Sequence, residues 1–399
     1  MFTSARFSPL APLLITFLVA GLLVGLPVAL PTALQAAPQS ATTLVTPQPP
    51  ELEAGGYVLM DFGSGKILVE LNADERLAPA SLTKIMTAYV VFSELAAGHL
   101  ALDEDALISE NAWRTGGSKM FIEVGKRVRI EDLLKGMIVQ SGNDASVALA
   151  EHIAGSESAF ADMMNAEAAR LGMTGSHFTN APGLPDPVHY TTPRDIAILT
   201  RAMIQDFPDY YGWYSQQEFT YNNIRQYNRN SLLRQDPSVD GVKTGHTEEA
   251  GYCLVASAKR NDQRMISVVM KTESTKARTR DSLALLNYGF RFFETIDLFP
   301  ANKPVESLRI WKGESKALPV GPASKLSISI PRGSYEQIVT RLEVPPDITA
   351  PVEQGQRVGD IVVTLNDEEL HRVPLVALEA VPRGGLIRRA SDTVLIWFQ

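Results

Sequence analysis

The sequence predicts an α+β protein of 399 residues. Strand patterns stand at both ends of a long helical stretch, a small β-rich segment follows, and an amphipathic helix closes the chain. Ordered patterning begins at Tyr57 with YVLMDFGSGKILVEL, where two short apolar runs flank DFGSGK and predict a β-hairpin. Helical spacing dominates from Ser81 to about Arg201. A second strand pair, GYCLVASAKRNDQRMISVVMK, turns at Asn261-Asp262, and a helix follows from about Lys276 to Phe293. Strands so far apart in sequence point to one sheet gathered from distant segments, within a main domain over 56–296.

Beyond that domain the period changes to two. In KLSISIPRG, Leu326, Ile328 and Ile330 alternate with polar neighbours, and Leu342 and Val344 alternate with Arg341 and Glu343. This predicts a small all-β domain over 297–383. Residues 384–399, GGLIRRASDTVLIWFQ, set Leu386, Ile387, Ala390, Val394, Trp397 and Phe398 on one side of a helix, with Arg388 and Arg389 elsewhere. Such a helix suits a membrane surface or docks on its own protein.

The N-terminus has the layout of a secretory signal over 1–36. Arg6 is the only charged residue before Glu51, residues 13–30 are almost continuously apolar, and ALQAA supplies small residues at the exit. The run is also long enough for an uncleaved anchor, although Pro27 and Pro31 interrupt a continuous helix. Residues 37–55, rich in Pro and Thr, read as a flexible lead-in. With a net charge of −8 and scattered Lys and Arg, the chain carries no electrostatic footprint for nucleic acid. Cys253 is the only cysteine, which excludes an intramolecular disulfide, and its apolar setting predicts a buried, inert thiol.

The chemistry concentrates in three short motifs. In PASLTK, Pro79 cannot sit inside a helix, whereas Leu82, Ile85, Met86 and Tyr89 have helical spacing, so Ser81 stands at a helix N-terminus. It can cap that helix or act as a nucleophile. Lys84 stands where a capping box would place an acid, and one turn on it can accept the serine proton if its pKa is depressed. That second role requires another cation and a polar relay. In KGMIVQSGNDAS, Ile130, Leu133, Leu134, Met137 and Ile138 mark a buried helical face that ends at Ser141, with Asn143 beyond it. In DGVKTGHTEEAGY, Lys243 opens a strand read as running on through Ala258. Gly245 there allows close approach of another backbone, such as a peptide substrate.

In the order S-x-x-K, S-x-N, K-T-G, these motifs form the set of class A β-lactamases and penicillin-binding proteins, with Gly142 where Asp is usual. The chain resembles the low-molecular-mass penicillin-binding proteins, the serine D-alanyl-D-alanine carboxypeptidases of the penicillin-binding protein five and six type. The likeness runs over roughly 56–399, through FTYNNIRQYNRN, NYGFRFFET, VTRLEVPPDITAPVEQGQRVGDI and the amphipathic end. It implies a penicillin-binding/β-lactamase-like catalytic domain, a mostly antiparallel sheet with a helical cluster.

The resemblance also implies roles for named residues. Ser81 would attack the carbonyl between the two terminal D-alanines of a peptidoglycan stem peptide, or the amide of a β-lactam. Lys84 would be general base, held neutral partly by Lys243, and Ser141 would relay the proton to the leaving amine. Asn143 would bond the substrate amide, and the N–H groups of Ser81 and His246 would form the oxyanion hole. Thr244 and Arg278 would hold the terminal carboxylate beside Gly245. No metal or cofactor is implied. The expected partners are stem peptides ending in D-Ala-D-Ala, β-lactam antibiotics and a membrane surface reached through 384–399. The expected location is the periplasmic face of the bacterial inner membrane.

Some positions depart from the family pattern. Cys253 stands where Asn is expected, MKTESTKARTR lacks the usual glycines around Arg278, and the terminal helix is short. A DD-endopeptidase or transpeptidase would use the same acyl-enzyme. A β-lactamase would need a segment to position a deacylating water, and no E-x-x-L-N-like stretch lies between Ser141 and Lys243. A non-catalytic wall-binding protein would not need the activated nucleophile.

Overall fold

The computed structural model describes residues 46–397. The expected signal at 1–36, part of the lead-in, and Phe398 lie outside the described residues.

The first hairpin pairs Ala54–Asp61 with Ile67–Leu71, so its opening strand takes in the last two residues of the expected lead-in. Just upstream, Tyr288 donates its hydroxyl to the Pro47 carbonyl at 2.7 Å. Three further strands complete a five-stranded sheet in the order Ile67–Leu71, Ala54–Asp61, Gln263–Thr272, Gly251–Arg260, Val239–Thr247, antiparallel throughout. The last pair corrects the expectation of one strand from Lys243 through Ala258. The chain turns back at 248–250, so Lys243 lies in mid-strand opposite Val255, and Gly245 opposite Cys253. Two adjacent acids, Glu248 and Glu249, keep the turn in water, and Gly251 takes the positive φ (61°) that the reversal needs.

Both faces of this sheet are covered, which is why its strands are apolar at both parities. Val58, Met60, Val255, Ile266 and Val268 face the helical cluster, which includes the helix Thr83–Ala96. Leu59, Leu254, Val269 and Met265 face Leu285, Leu286 and Phe290 of the helix Thr275–Phe292. Two small pairings, one inside the helical stretch and one after it, have no clear strand signal in the sequence. Asp105–Leu107 pairs with Arg127–Arg129, and Glu218–Tyr221 with Ile224–Tyr227. The second is a tight hairpin whose loop residues Asn222 and Asn223 both have positive φ (46° and 59°), the conformation of a type I′ turn.

From Phe293 to Ala377 strands dominate the chain. Phe293–Phe299 pairs with Leu326–Pro331, and a five-stranded sheet comes next in the order Glu306–Arg309, Ala317–Pro322, Glu368–Ala377, Arg357–Leu365, Ile338–Glu343. Leu326, Ile328 and Ile330, the period-two residues of the sequence, are buried with Val320, Ile361 and Leu375.

The terminal helix Leu386–Ile396 rests on this domain by its polar side. Arg388 donates to the carbonyls of Glu314 (3.2 Å) and Ser315 (2.9 Å), and Asp392 accepts from the backbone N–H of Lys312 at 2.5 Å. Positions 388, 392 and 396 turn inward one helical turn apart, leaving Leu386, Ile387, Leu395 and Trp397 exposed. The two sequence readings of this helix are thus compatible: it docks, and its apolar side faces outward.

Candidate active site

Ser81 lies in a 3₁₀ turn, Ala80–Leu82, that runs directly into the helix Thr83–Ala96. Neither element is capped by a side chain, so Ser81 does not serve as an N-cap. Ala80 has a φ of +46°, a left-handed conformation that costs a non-glycine residue about 1–2 kcal/mol. The surroundings hold it there. Gly183 lies so close that a Cβ on it would come within 1.9 Å of the Ala80 carbonyl oxygen. His189 bonds Thr83 Oγ1 through Nε2 at 2.9 Å, while its Nδ1 accepts from the Thr179 N–H at 3.1 Å. That second bond fixes the tautomer with the proton on Nε2. Burial pushes the imidazole down to about 4, so the ring is neutral.

Lys84 is the centre of the site. It is 1% exposed, and its Nζ reaches Ser81 Oγ at 2.9 Å, Asn143 Oδ1 at 2.7 Å and the Pro182 carbonyl at 2.7 Å. The last two partners can only accept, so they consume two N–H donors. A neutral amine has two donors and one lone pair, and the lone pair is then left for the Ser81 hydroxyl. Burial, reinforced by the positive charges of Lys243 and Arg229, holds the Lys84 ammonium well below the ordinary lysine range. Lys243 is itself buried, and burial with the charges of Arg229 and Arg278 brings it down to about 7.

Ser141 and Asn143 reach the cleft by an irregular route. The helix Ile130–Lys135 passes into a π turn, Gly136–Gln140, and Ser141 comes next in the left-handed region (φ 66°). An added residue in a helical turn re-aims the side chains beyond it, and such bulges recur at functional sites. The turn needs Gly136, since a Cβ there would lie 2.2 Å from Met120 Sδ. Ser141 is buried, 2% exposed. Asn143 bridges the cleft wall: its Oδ1 accepts from Lys84, and its Nδ2 donates to the Gly116 carbonyl at 2.7 Å.

The Val239–Thr247 strand forms the opposite wall. Gly245 has the close neighbour the sequence asks for, but it is the protein's own chain. A Cβ at Gly245 would stand 3.0 Å from the Pro79 carbonyl and 3.3 Å from Ala80 Cβ. Its small size seats the nucleophile turn on the strand. Thr244 is buried beside it, and His246 is exposed with its ring 4.0 Å from that of Tyr252. Arg278, in the first turn of Thr275–Phe292, donates Nη1 to the carbonyls of Gly245 (3.0 Å) and Cys253 (3.3 Å). Cys253 is buried, and burial pushes its thiol up to about 11, which leaves it unreactive.

Hydrogen bonds join Ser81, Lys84 and Asn143, Lys243 acts on Lys84 by its charge, and Gly245 seats the Ser81 turn and accepts from Arg278. Thr244 and His246 flank Gly245 on its strand, and Ser141 lies two residues before Asn143. Three contributors were missed. Arg229 lies within FTYNNIRQYNRN and carries no motif of its own; only its field on the two lysines marks it. Asp144 is buried and accepts the N–H groups of Met120 (2.8 Å), Phe121 (2.9 Å) and Ile122 (3.3 Å), fixing the loop against Asn143. Its place directly after Asn143 was the available signal. The Pro182 carbonyl has no side-chain signature at all.

Comparison with known proteins shows the family and the fold. The D-alanyl-D-alanine carboxypeptidase family profile matches residues 43–274, and that of the penicillin-binding protein 5 C-terminal domain matches 293–383. The chain belongs to the D-alanyl-D-alanine carboxypeptidase family. The carboxypeptidase DacC of Escherichia coli K12 is 42% identical over 361 residues, covering 88% of this chain and 90% of that protein. DacF of Bacillus subtilis 168 is 35% identical, covering 86% and 90%. Among solved structures, penicillin-binding protein 5 of Haemophilus influenzae superimposes with a TM-score of 0.82 at 40% identity, covering 84% of this chain and 100% of that one. The α+β architecture with its C-terminal all-β domain is thus that of the family.

Proposed function

We propose that this chain is a serine D-alanyl-D-alanine carboxypeptidase that removes the terminal D-alanine from peptidoglycan stem peptides and is acylated by β-lactams. The observation that carries the reading is Ser81 Oγ, 2.9 Å from a fully buried lysine whose other two donors are already committed. Ser81 Oγ attacks the carbonyl carbon of the penultimate D-alanine while its proton passes to Lys84 Nζ. The tetrahedral oxyanion is received by the N–H groups of Ser81 and His246. Collapse breaks the C–N bond, and the proton returns to the leaving amine through Ser141. Water then cleaves the ester, with the same lysine taking its proton, and restores Ser81.

Asn143 holds the substrate amide by the side chain that also orients Lys84. Thr244 and the remaining donors of Arg278 receive the terminal carboxylate, and Lys243 keeps Lys84 neutral. We place the enzyme on the periplasmic side of the membrane, attached peripherally through 384–399. The exposed Leu386, Ile387, Leu395 and Trp397 support that attachment. Among the described residues no helix is long and apolar enough to cross a membrane.

The test pairs labelled penicillin with a peptide ending in D-Ala-D-Ala, using Ser81→Ala as control. The expected outcome is covalent label and release of one D-alanine by the natural protein, with neither by the variant. Label retained by Ser81→Ala, or rapid penicillin turnover without D-alanine release, contradicts the reading.

A further inference from the structure

A groove of about 650 Å³ opens beside the catalytic cleft, outside every role assigned above. Its walls include Trp113, Lys119 and Phe121 on one side, and Asn222 and Ile224 of the tight hairpin on the other. The walls are joined to each other and to the site. Gln226 Nε2 donates to the Lys119 carbonyl at 3.3 Å, and Lys119 Nζ donates to the Trp113 carbonyl at 2.6 Å. Ser118, the residue before Lys119, accepts the Asn143 N–H at 2.7 Å. A run of hydrogen bonds from Ser81 through Lys84 and Asn143 to Gly116 therefore ends on the loop that forms the groove wall.

The surface is costly to maintain. Trp113, Phe121 and Ile224 are 42%, 51% and 40% exposed and line one groove. Phe121 also has a φ of +69°, a conformation in which a bulky residue is an outlier. Asp144 holds it there by accepting its N–H, so the fold strains its backbone to keep an aromatic ring in the open. Strain of this kind clusters where a ligand is clamped.

We infer that this groove binds the sugar that carries the stem peptide, so that glycan-linked stems are preferred over free peptide. The inference rests on the D-Ala-D-Ala reading above. In that reading the carboxylate end of the substrate lies toward Thr244 and Arg278, so the upstream residues leave along the Asn143 wall. Four residues separate the scissile carbonyl from the sugar, a reach of roughly 14 Å when extended. Aromatic faces beside the Asn222 amide, the Lys119 and Arg114 cations and the Glu123 carboxylate suit a ring that offers C–H faces and hydroxyl edges together. An apolar peptide partner would leave Lys119 and Asn222 unused.

The test compares D-alanine release from N-acetylglucosaminyl-N-acetylmuramyl pentapeptide and from the same pentapeptide without sugars. The enzymes are the natural protein, Trp113→Ala and, from the opposite wall, Ile224→Ser. The natural protein should show the lower KM for the disaccharide substrate. Each variant should raise that KM by about tenfold while kcat, the free-pentapeptide KM and penicillin acylation stay within about twofold. Equal KM values for both substrates in the natural protein overturn the inference. So does an equal loss on both substrates in the variants, which marks the groove as structural. If neither substrate yields D-alanine, the functional reading fails separately. The groove is then judged by calorimetric binding of the two pentapeptides to full-length Ser81→Ala, where a sugar-dependent gain abolished by Trp113→Ala sustains it and equal affinities refute it.

Discussion

The catalytic cleft and the C-terminal β domain treat positive charge in opposite ways. In the β domain, Arg372 lies exposed between Glu343 and Glu369, and Arg357 pairs with Asp360. These charges stay in water and are matched by acids, an arrangement that contributes little to stability and favours solubility. In the cleft, Lys84, Lys243 and Arg278 are buried, and none forms an ion pair with a carboxylate among the described residues. Burying unmatched cations is expensive, and a lysine escapes the cost by giving up its proton. The cleft thus uses its cost: burial and mutual repulsion depress Lys84 and favour the neutral amine next to the serine. The difference separates charge kept for solvation from charge placed for chemistry.

The contrast can be broken most severely at its centre. Lys84→Gln should lower the rate of β-lactam acylation by about 10²–10⁴-fold, the range expected for a lost general base, as read by stopped-flow or gel-based labelling. Lys243→Gln should have the next largest effect, and its sign comes from charge. Removing a neighbouring cation favours protonated Lys84, so its pKa rises and the acid limb of the acylation rate against pH moves to higher pH. A limb that stays in place would mean that burial and Arg229, without Lys243, set the base. Gly245→Ala should press on the Pro79 carbonyl, 3.0 Å from the new Cβ, and cost about 1–3 kcal/mol in thermal or denaturant unfolding along with slower acylation. Arg372→Ala should change least, leaving acylation intact and the melting temperature nearly so, since its charge is already solvated.

The features that could be read from sequence divide along similar lines. Motifs whose chemistry resides in side chains at fixed spacing were legible. Pro79 and the apolar spacing after it located the Ser81 turn, and the period-two run at Leu326, Ile328 and Ile330 located the β-domain core. Features set by backbone geometry or by distant charge were not. The left-handed Ala80 and the Pro182 carbonyl leave no trace in their own residue types, and the π turn before Ser141 leaves only Gly136. Arg229 acts on Lys84 and Lys243 through space, and nothing local separates it from any other arginine. The Lys243 strand and the next one look continuous because both are apolar on two faces, and only Glu248, Glu249 and Gly251 mark the reversal. The terminal helix shows why its two readings could not be separated: Arg388 and Asp392 look like a solvent face, yet they are the docking face.

The central claim is that burial and the neighbouring cations hold Lys84 well below the ordinary lysine range and so favour its neutral amine. It is tested most directly by tracking the lysine side-chain ¹³Cε and ¹⁵Nζ resonances against pH in the full-length protein, with Lys84→Gln identifying the signal. The account predicts a Lys84 resonance that titrates well below the ordinary lysine value of 10.5 and moves upward in Lys243→Gln. A Lys84 resonance that titrates near 10.5 and ignores Lys243 would contradict it.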